Sequence, residues 1–396
     1  MRRMVARPEN RHQARLLRLL RDEGPRSRAE LTDAVELSKS KVADELDRLM
    51  GAGLVEAGGL AASRGGRRSS IVQIARQLHF VGIDIGATSV DVAVTDGELR
   101  VLGHLAEPAD VRDGPERVLD LALEMLAKLR DQGLAPEIHG VGVGVPGPVS
   151  FRDGAPFAPP IMPGWNKYPV REALSQELGC PVLVDNDVNI MALGEHHAGL
   201  AKQVDDLLFV KIGTGIGCGI LVDGRVHRGV TGSAGDIGHI QVEDTGPTCA
   251  CGNTGCLEAF FGGSALARDA SQAARTEQSP FLARRLADAG SLTALDVADA
   301  AAAGDPVSVA LVRDGGRRVG KVLAGLVSVL NPGLIVIGGG VSRVGHALLA
   351  EIRGVVYRQS LPLATGNLPI VLSELGDEAG VTGAARMISD HIFQAD

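Results

Sequence analysis

Three cysteines fall within eight residues of a chain that has only five: Cys249-Ala-Cys251-Gly-Asn-Thr-Gly-Cys256, with Cys180 and Cys218 elsewhere. His239 stands ten residues before the first of them. One imidazole and three thiolates, with no carboxylate among them, make the donor set of a closed tetrahedral zinc site. An odd, clustered cysteine count also points to metal rather than to disulfides. Gly252 and Gly255 let the backbone fold around the ion. Asp236 and Glu258 flank the cluster. With one ring nitrogen of His239 on the metal, the other carries its proton away from it. That proton is placed to be donated to a sugar hydroxyl, with Asp236 and Glu258 accepting from others.

A second constellation closes the apolar stretch Val182-Leu-Val-Asp-Asn-Asp-Val-Asn189. Polar residues at the end of a strand mark where open α/β sheets bind ligands. Asp187 is the acid that would take a proton from a sugar hydroxyl, and Asn186 would read a neighbouring one. Asp and Asn at this place also cap the helix expected over 190–197.

Phosphate chemistry is suggested by an internal repeat. At an offset of 127 residues, Ile85-Gly86 falls on Ile212-Gly213 and Asp96-Gly97 on Asp223-Gly224. Each copy reads as a β-hairpin opened by a glycine turn, from Val81 to Thr88 and from Val210 to Gly217. Backbone amides with no side chain in the way cradle phosphates, which singles out Gly86, Gly213 and Gly215. Thr88 and Thr214 offer hydroxyls, and Asp84 would hold magnesium through water. A third glycine run, Asn331 to Gly340, reads as a strand ending in an open turn, with Gly338 and Gly339 fit for an adenosine wall. Two similar α/β lobes facing each other would set the two turns across a cleft.

Ahead of this body the periodicity changes to helical. Residues 10–23 carry an apolar stripe of Ala14, Leu16, Leu17, Leu19 and Leu20, stopped by Gly24-Pro25. Ser27-Arg28-Ala29-Glu30 is a capping box that opens a second helix, and Ser38 caps a third with Val42, Leu46 and Leu49 inward. Two strands, 54–56 and 71–74, bracket a basic loop. Three helices and a basic hairpin make a winged helix-turn-helix, whose third helix enters the major groove by its leading turn. Ser38, Lys39, Ser40 and Lys41 sit there, and Arg64, Arg67 and Arg68 in the loop suit a narrow minor groove.

Charge divides the same way. Residues 1–80 hold 16 Lys/Arg against 10 Asp/Glu, and the remaining 316 hold 24 against 38. A basic head on an acidic body implies that only the head approaches a polyanion, here operator DNA. No apolar run nears the ~18 residues of a membrane span, and no signal-peptide core follows the first arginines. The expectation is a cytoplasmic protein with no membrane partner.

These motifs together resemble the ROK family of repressors, open reading frames and kinases. Asp84-Ile-Gly-Ala-Thr88 resembles the family's first phosphate motif and Gly213-Thr-Gly-Ile-Gly217 its second. Ala234-Gly-Asp-Ile-Gly-His239 and the run from Cys249 to Cys256 resemble its Glu-x-Gly-His element and zinc signature. The resemblance implies an α/β, two-lobed actin-like, hexokinase-type (ribonuclease H-like) sugar-kinase fold behind the winged helix-turn-helix. The expected divisions are a head over 1–78, a first lobe over 79–200 and a second lobe over 201–396. Asn186, Asp187, Asp236, His239 and Glu258 match sugar-contact positions, with Asp187 at the place of the kinase base. The Pro163-Gly164-Trp165 loop resembles a segment near the sugar pocket. Two departures stand out: Ala87 replaces a glycine, setting a methyl group toward the phosphates, and Asp236 replaces a glutamate. The implied function is a sugar-responsive transcriptional regulator acting as a homodimer or homotetramer on a monosaccharide or sugar-phosphate effector. The alternative is an ATP- and Mg2+-dependent sugar kinase, alone or combined with DNA binding.

Overall fold

The computed structural model describes residues 6–60 and 70–395. Helix Arg11–Glu23 begins at Asn10, whose side chain accepts from the amides of His12 and Gln13. The capping box forms as the sequence predicts: Ser27 N–H donates to Glu30 Oε2 at 2.8 Å, and Glu30 N–H to Ser27 Oγ at 3.3 Å. It opens helix Arg28–Val35, which Glu36 ends at φ 53°. Ser38 then caps Lys39–Gly51. Strands Val55–Leu60 and Ser70–Ile74 pair antiparallel, and a short strand absent from the sequence reading, Arg26–Ser27, joins the same sheet. Arg64, Arg67 and Arg68 lie outside the described residues.

The body carries two five-stranded sheets of one topology. The first runs Val182–Asn186, Gly140–Val145, His79–Ile85, Ser89–Asp96, Val101–Pro108; the second runs Ile370–Leu372, Leu334–Gly338, Leu207–Ile212, Ile216–Val222, Arg225–Val226. In each, an antiparallel hairpin is extended on one side by two parallel strands. The 127-residue repeat is therefore the visible trace of a duplicated sheet. The copies differ by one residue at the turn: Ile85 pairs with Val90, whereas Ile212 pairs with Ile216.

The chain forms two compact units, Met1–His197 with Gly380–Asp396, and Ala198–Ala379. The expected second lobe ran to residue 396, yet the last segment belongs to the first unit. The reason is backbone contact. An ideal Cβ at Gly82 would sit 1.9 Å from the carbonyl oxygen of Val381, and one at Gly142 would sit 1.9 Å from that of Ala384. Helix Glu378–Ile392 thus lies on strands His79–Ile85 and Gly140–Val145 with no side chain between them. The head packs directly on the first lobe. Leu16, Leu20, Leu46 and Leu49 share one buried cluster with Leu78, Phe80, Ile388 and Phe393. No helix among the described residues is long and apolar enough to cross a membrane.

Overpacking at a site where backbone meets backbone costs more than glycine's own entropy. Gly142→Ala should destabilise the protein by about 3 kcal/mol in denaturant unfolding. Gly354→Ala, in helix His346–Gln359 with open space around the new methyl, should stabilise it by about 0.5–1 kcal/mol. Equal effects at the two positions would contradict the contact.

Candidate functional site

The cysteine loop is built before any ion is considered. Cys249 N–H donates to Asn253 O at 2.7 Å and Gly252 N–H to Cys249 O at 2.9 Å, while isolated bridges join Gln241 to Cys256 and Thr248 to Thr254. Gly252 and Gly255 adopt φ of 91° and 79°, the left-handed region open to glycine. A Cβ at Gly255 would lie 1.9 Å from Glu243 O. The result brings four ligand atoms, one each from His239, Cys249, Cys251 and Cys256, within 4.8 Å of one another. Cys251 Sγ is 3.8 Å from Cys256 Sγ, and His239 Nδ1 is 3.5 Å from Cys249 Sγ. A tetrahedron with Zn–S bonds of about 2.3 Å has S···S edges of about 3.8 Å. Donor set and edge length therefore both fit a zinc ion. A support not visible in the sequence comes from helix Pro306–Leu330. Arg318 stacks 4.5 Å from the Phe260 ring centroid and bonds Glu243 at 2.8 Å, clasping the loop from 75 residues away.

His239 turns Nδ1 to the thiols, which leaves Nε2 facing away from them. Asp236, half-buried, directly precedes the short 3-10 helix Ile237–His239. Glu258 has a partner that sequence reasoning missed: its Oε2 accepts from Ile216 N–H at 2.9 Å. The same oxygen would lie 2.3 Å from a Cβ at Gly215, so Glu258 props the second glycine turn. That turn is closed by Gly213 N–H to Gly215 O at 2.9 Å. Its outward carbonyls meet the start of helix Gly263–Arg275, with Gly263 N–H to Gly213 O at 2.7 Å and Ser264 N–H to Thr214 O at 3.3 Å. The third glycine run arrives at the same place. Gly339, at φ 84°, would set a Cβ 2.6 Å from Ile212 O, and Gly338 would meet Phe209. Within this unit the structure gathers Gly213, Thr214, Gly215, Gly338, Gly339 and Glu258.

In the first unit, Asp84 is buried at the end of its strand, its carboxylate against Gly380, where a Cβ would stand 1.9 Å from Oδ2. Gly86 N–H donates to Ser89 O at 2.8 Å, and Thr88 is exposed. Ala87, half-buried, packs against the edge of the first unit's apolar cluster. Asn186 caps the following helix, Asp187–Ala198. Its Oδ1 accepts from Val188 N–H at 2.9 Å and its Nδ2 donates to Gly147 O at 2.8 Å. Asp187 is the first residue of that helix and nearly buried. Buried Asp185 fixes the junction by accepting from Asn189 Nδ2 at 2.9 Å and Asn186 N–H at 2.8 Å. Trp165 is fully buried and donates Nε1–H to Val111 O at 2.9 Å, so its ring is part of the core.

In the head, Ser38, Lys39 and Ser40 are exposed on the leading turn of the third helix. Lys41 is tied down: its Nζ lies 2.6 Å from Oε1 of Glu45, whose side chain has no exposure. Gln13 and Asn10 donate to the other oxygen at 2.8 and 3.2 Å. Burial alone would raise the Glu45 pKa, but these three hydrogen bonds, led by Lys41, outweigh it and hold it at about 2. Glu45 thus fastens the third helix to Asn10 and Gln13 at the start of the first, with Lys41 held against it, leaving exposed Lys39 without an ion pair among the described residues.

Comparison with known proteins follows the same division. Residues 80–391 match the ROK family model, and residues 11–57 match the model of the bacterial regulatory protein, arsR family. A xylose repressor from Caldicellulosiruptor bescii is 29% identical over 366 residues, 91% of this chain and 91% of its own. A glucokinase from Halalkalibacterium halodurans is 34% identical over 313 residues, 78% of this chain and 94% of its own. The crystal structure of a ROK family transcriptional regulator, a homologue of the E. coli MLC protein, superposes with a TM-score of 0.81 at 27% identity, covering 96% of both chains. With a matched domain that spans most of its length, the chain belongs to the ROK family.

Proposed function

We propose that this protein is a sugar-responsive transcriptional regulator that binds operator DNA with its head and a monosaccharide or sugar phosphate with its body. One observation carries the reading: the likeness to a repressor and to a regulator structure runs through the head, over 91% and 96% of this chain. The glucokinase likeness covers 78%. Ser38, Lys39 and Ser40, with Arg64, Arg67 and Arg68, meet the DNA. Asn186, Asp187, Asp236, the Nε2 side of His239 and Glu258 contact the sugar, and a homodimer or homotetramer presents paired heads to an operator. Zinc sits among His239, Cys249, Cys251 and Cys256 and fixes the loop that aims the imidazole.

A second reading is ATP-dependent sugar phosphorylation. Asp84 stands near the end of its strand, Asp187 directly follows the end of another, and both glycine turns are intact. In that case Asp187 acts as base toward the sugar hydroxyl, while Asp84, Gly86, Thr88, Gly213, Thr214, Gly215, Gly338 and Gly339 hold ATP and Mg2+.

Operator sites selected from random duplex DNA, titrated with D-glucose and D-xylose beside a coupled ATP-turnover assay, separate the two. The expected result is specific DNA binding that a sugar shifts, with little turnover. Lys39→Met should lower the slope of log affinity against log salt by about one. Lys41→Met should leave that slope and instead lower the melting temperature, because it strips a partner from buried Glu45. Robust phosphorylation lost in Asp187→Asn, without specific DNA binding, would overturn the regulator reading.

Metal analysis addresses the loop. Wild-type protein purified without chelator should carry about one zinc per chain, and Cys251→Ser should lose most of it together with sugar affinity. Wild-type protein free of zinc would contradict the site.

A further inference from the structure

Helix Asp187–Ala198 begins with the proposed sugar-contact acid and carries His197 in its last turn. Its middle is fused to the C-terminal helix: a Cβ at Gly383 would lie 1.7 Å from Ile190 O and 2.6 Å from Gly194 N. At the far end His197 Nδ1 lies 2.9 Å from Arg386 Nη1 on that C-terminal helix. Arg386 donates in bidentate fashion to Asp22 at 2.8 and 3.2 Å, on the last turn of the head's first helix.

A second arginine closes the circuit. Arg386 Nε donates to Asp390 Oδ2 at 3.0 Å, and fully buried Arg21 bonds both Asp390, at 2.8 Å, and Asp22, at 2.7 Å. Two guanidinium groups alternate with two carboxylates in a ring of zero net charge, with His197 attached at one corner. Arginine has only donors, so His197 must present Nδ1 as an acceptor. Burial first, then the two arginines, push its pKa down to about 4, which keeps the ring neutral. Bidentate arginine–carboxylate pairs fix direction as well as distance, and in a ring anchored on fully buried Arg21 each group is held by two partners, so one displaced corner displaces its neighbours.

We propose that His197, Arg386 and Asp22 are positioning residues that carry a sugar-induced shift of helix Asp187–Ala198 to the DNA-binding head. This link rests on the regulator reading above. It requires the His197 acceptor, which phenylalanine lacks and asparagine supplies near the place of Nδ1.

The test measures operator affinity with and without a panel of monosaccharides and their phosphates, D-glucose and D-xylose first, and sugar affinity separately by calorimetry, for wild type, His197→Phe and His197→Asn. Wild type should show about a tenfold sugar-dependent change in operator affinity, within the usual range of allosteric coupling. His197→Phe should bind sugar and sugar-free operator within threefold of wild type yet keep less than a twofold change. His197→Asn should restore most of it. Asp22→Asn, which weakens the same clamp from the head side, should reproduce the loss if the phenylalanine variant fails to fold. A wild type that responds to sugar beside a phenylalanine variant that responds equally overturns the link alone. A wild type that binds no specific operator, or whose operator binding none of a panel of monosaccharides and their phosphates shifts, overturns the regulator reading and the link with it.

Discussion

Peptide backbone lies directly on peptide backbone where helix Glu378–Ile392 crosses the first sheet, and much else in that unit depends on it. Gly82 and Gly142 are what that contact requires, while Gly380 leaves room for the Asp84 carboxylate and Gly383 for the backbone of helix Asp187–Ala198. A close-packed interior does not yield to a single added methyl. That contact fixes the wall against which Asp84 is set and the flank of the helix that opens with Asp187. It also carries Ile388 and Phe393 into the cluster that holds the head. Phe80 and Phe393 meet edge to face at 5.9 Å, and Arg21 covers the Phe393 ring at 5.6 Å.

The other unit uses the same economy around its turns. Gly215 leaves room for the Glu258 carboxylate, Gly255 for the backbone at Glu243, and Gly339 for the carbonyl of Ile212. Each removes a side chain so that a charged group or a backbone segment can approach. Glu258, two residues beyond Cys256, bonds the turn at Ile216. The chain just past the cysteine loop and the strand that follows the second glycine turn are therefore joined by one hydrogen bond.

Features encoded within a few residues were legible in the sequence. The Ser27–Glu30 box, the Ser38 cap, the cysteine cluster and the two hairpins depend on local spacing, and each appears where expected. What depended on distant partners was not legible. Nothing near Gly380 announces that the last helix returns to the first unit. Nothing near Lys41 says that Gln13, 32 residues before Glu45, would help bury that carboxylate. The Pro163-Gly164-Trp165 loop was read as a segment near the sugar pocket, and the Trp165 ring itself is core, because local sequence specifies a turn without specifying which side packs. Asn186 was read as a sugar contact, and its amide also caps the helix and holds Gly147. Helix-starting positions at ligand sites serve both purposes, and spacing alone does not separate them.

If the C-terminal helix unites head and first lobe, the two must open together. Native-state hydrogen exchange under increasing denaturant reads this directly. The account requires the slowest amides of Arg11–Glu23, at Leu16, Leu17 and Leu20, to share one opening free energy with those of Ala384, Ala385 and Ile388. Head amides that open on their own, at a cost lower by about 3 kcal/mol or more, would contradict it.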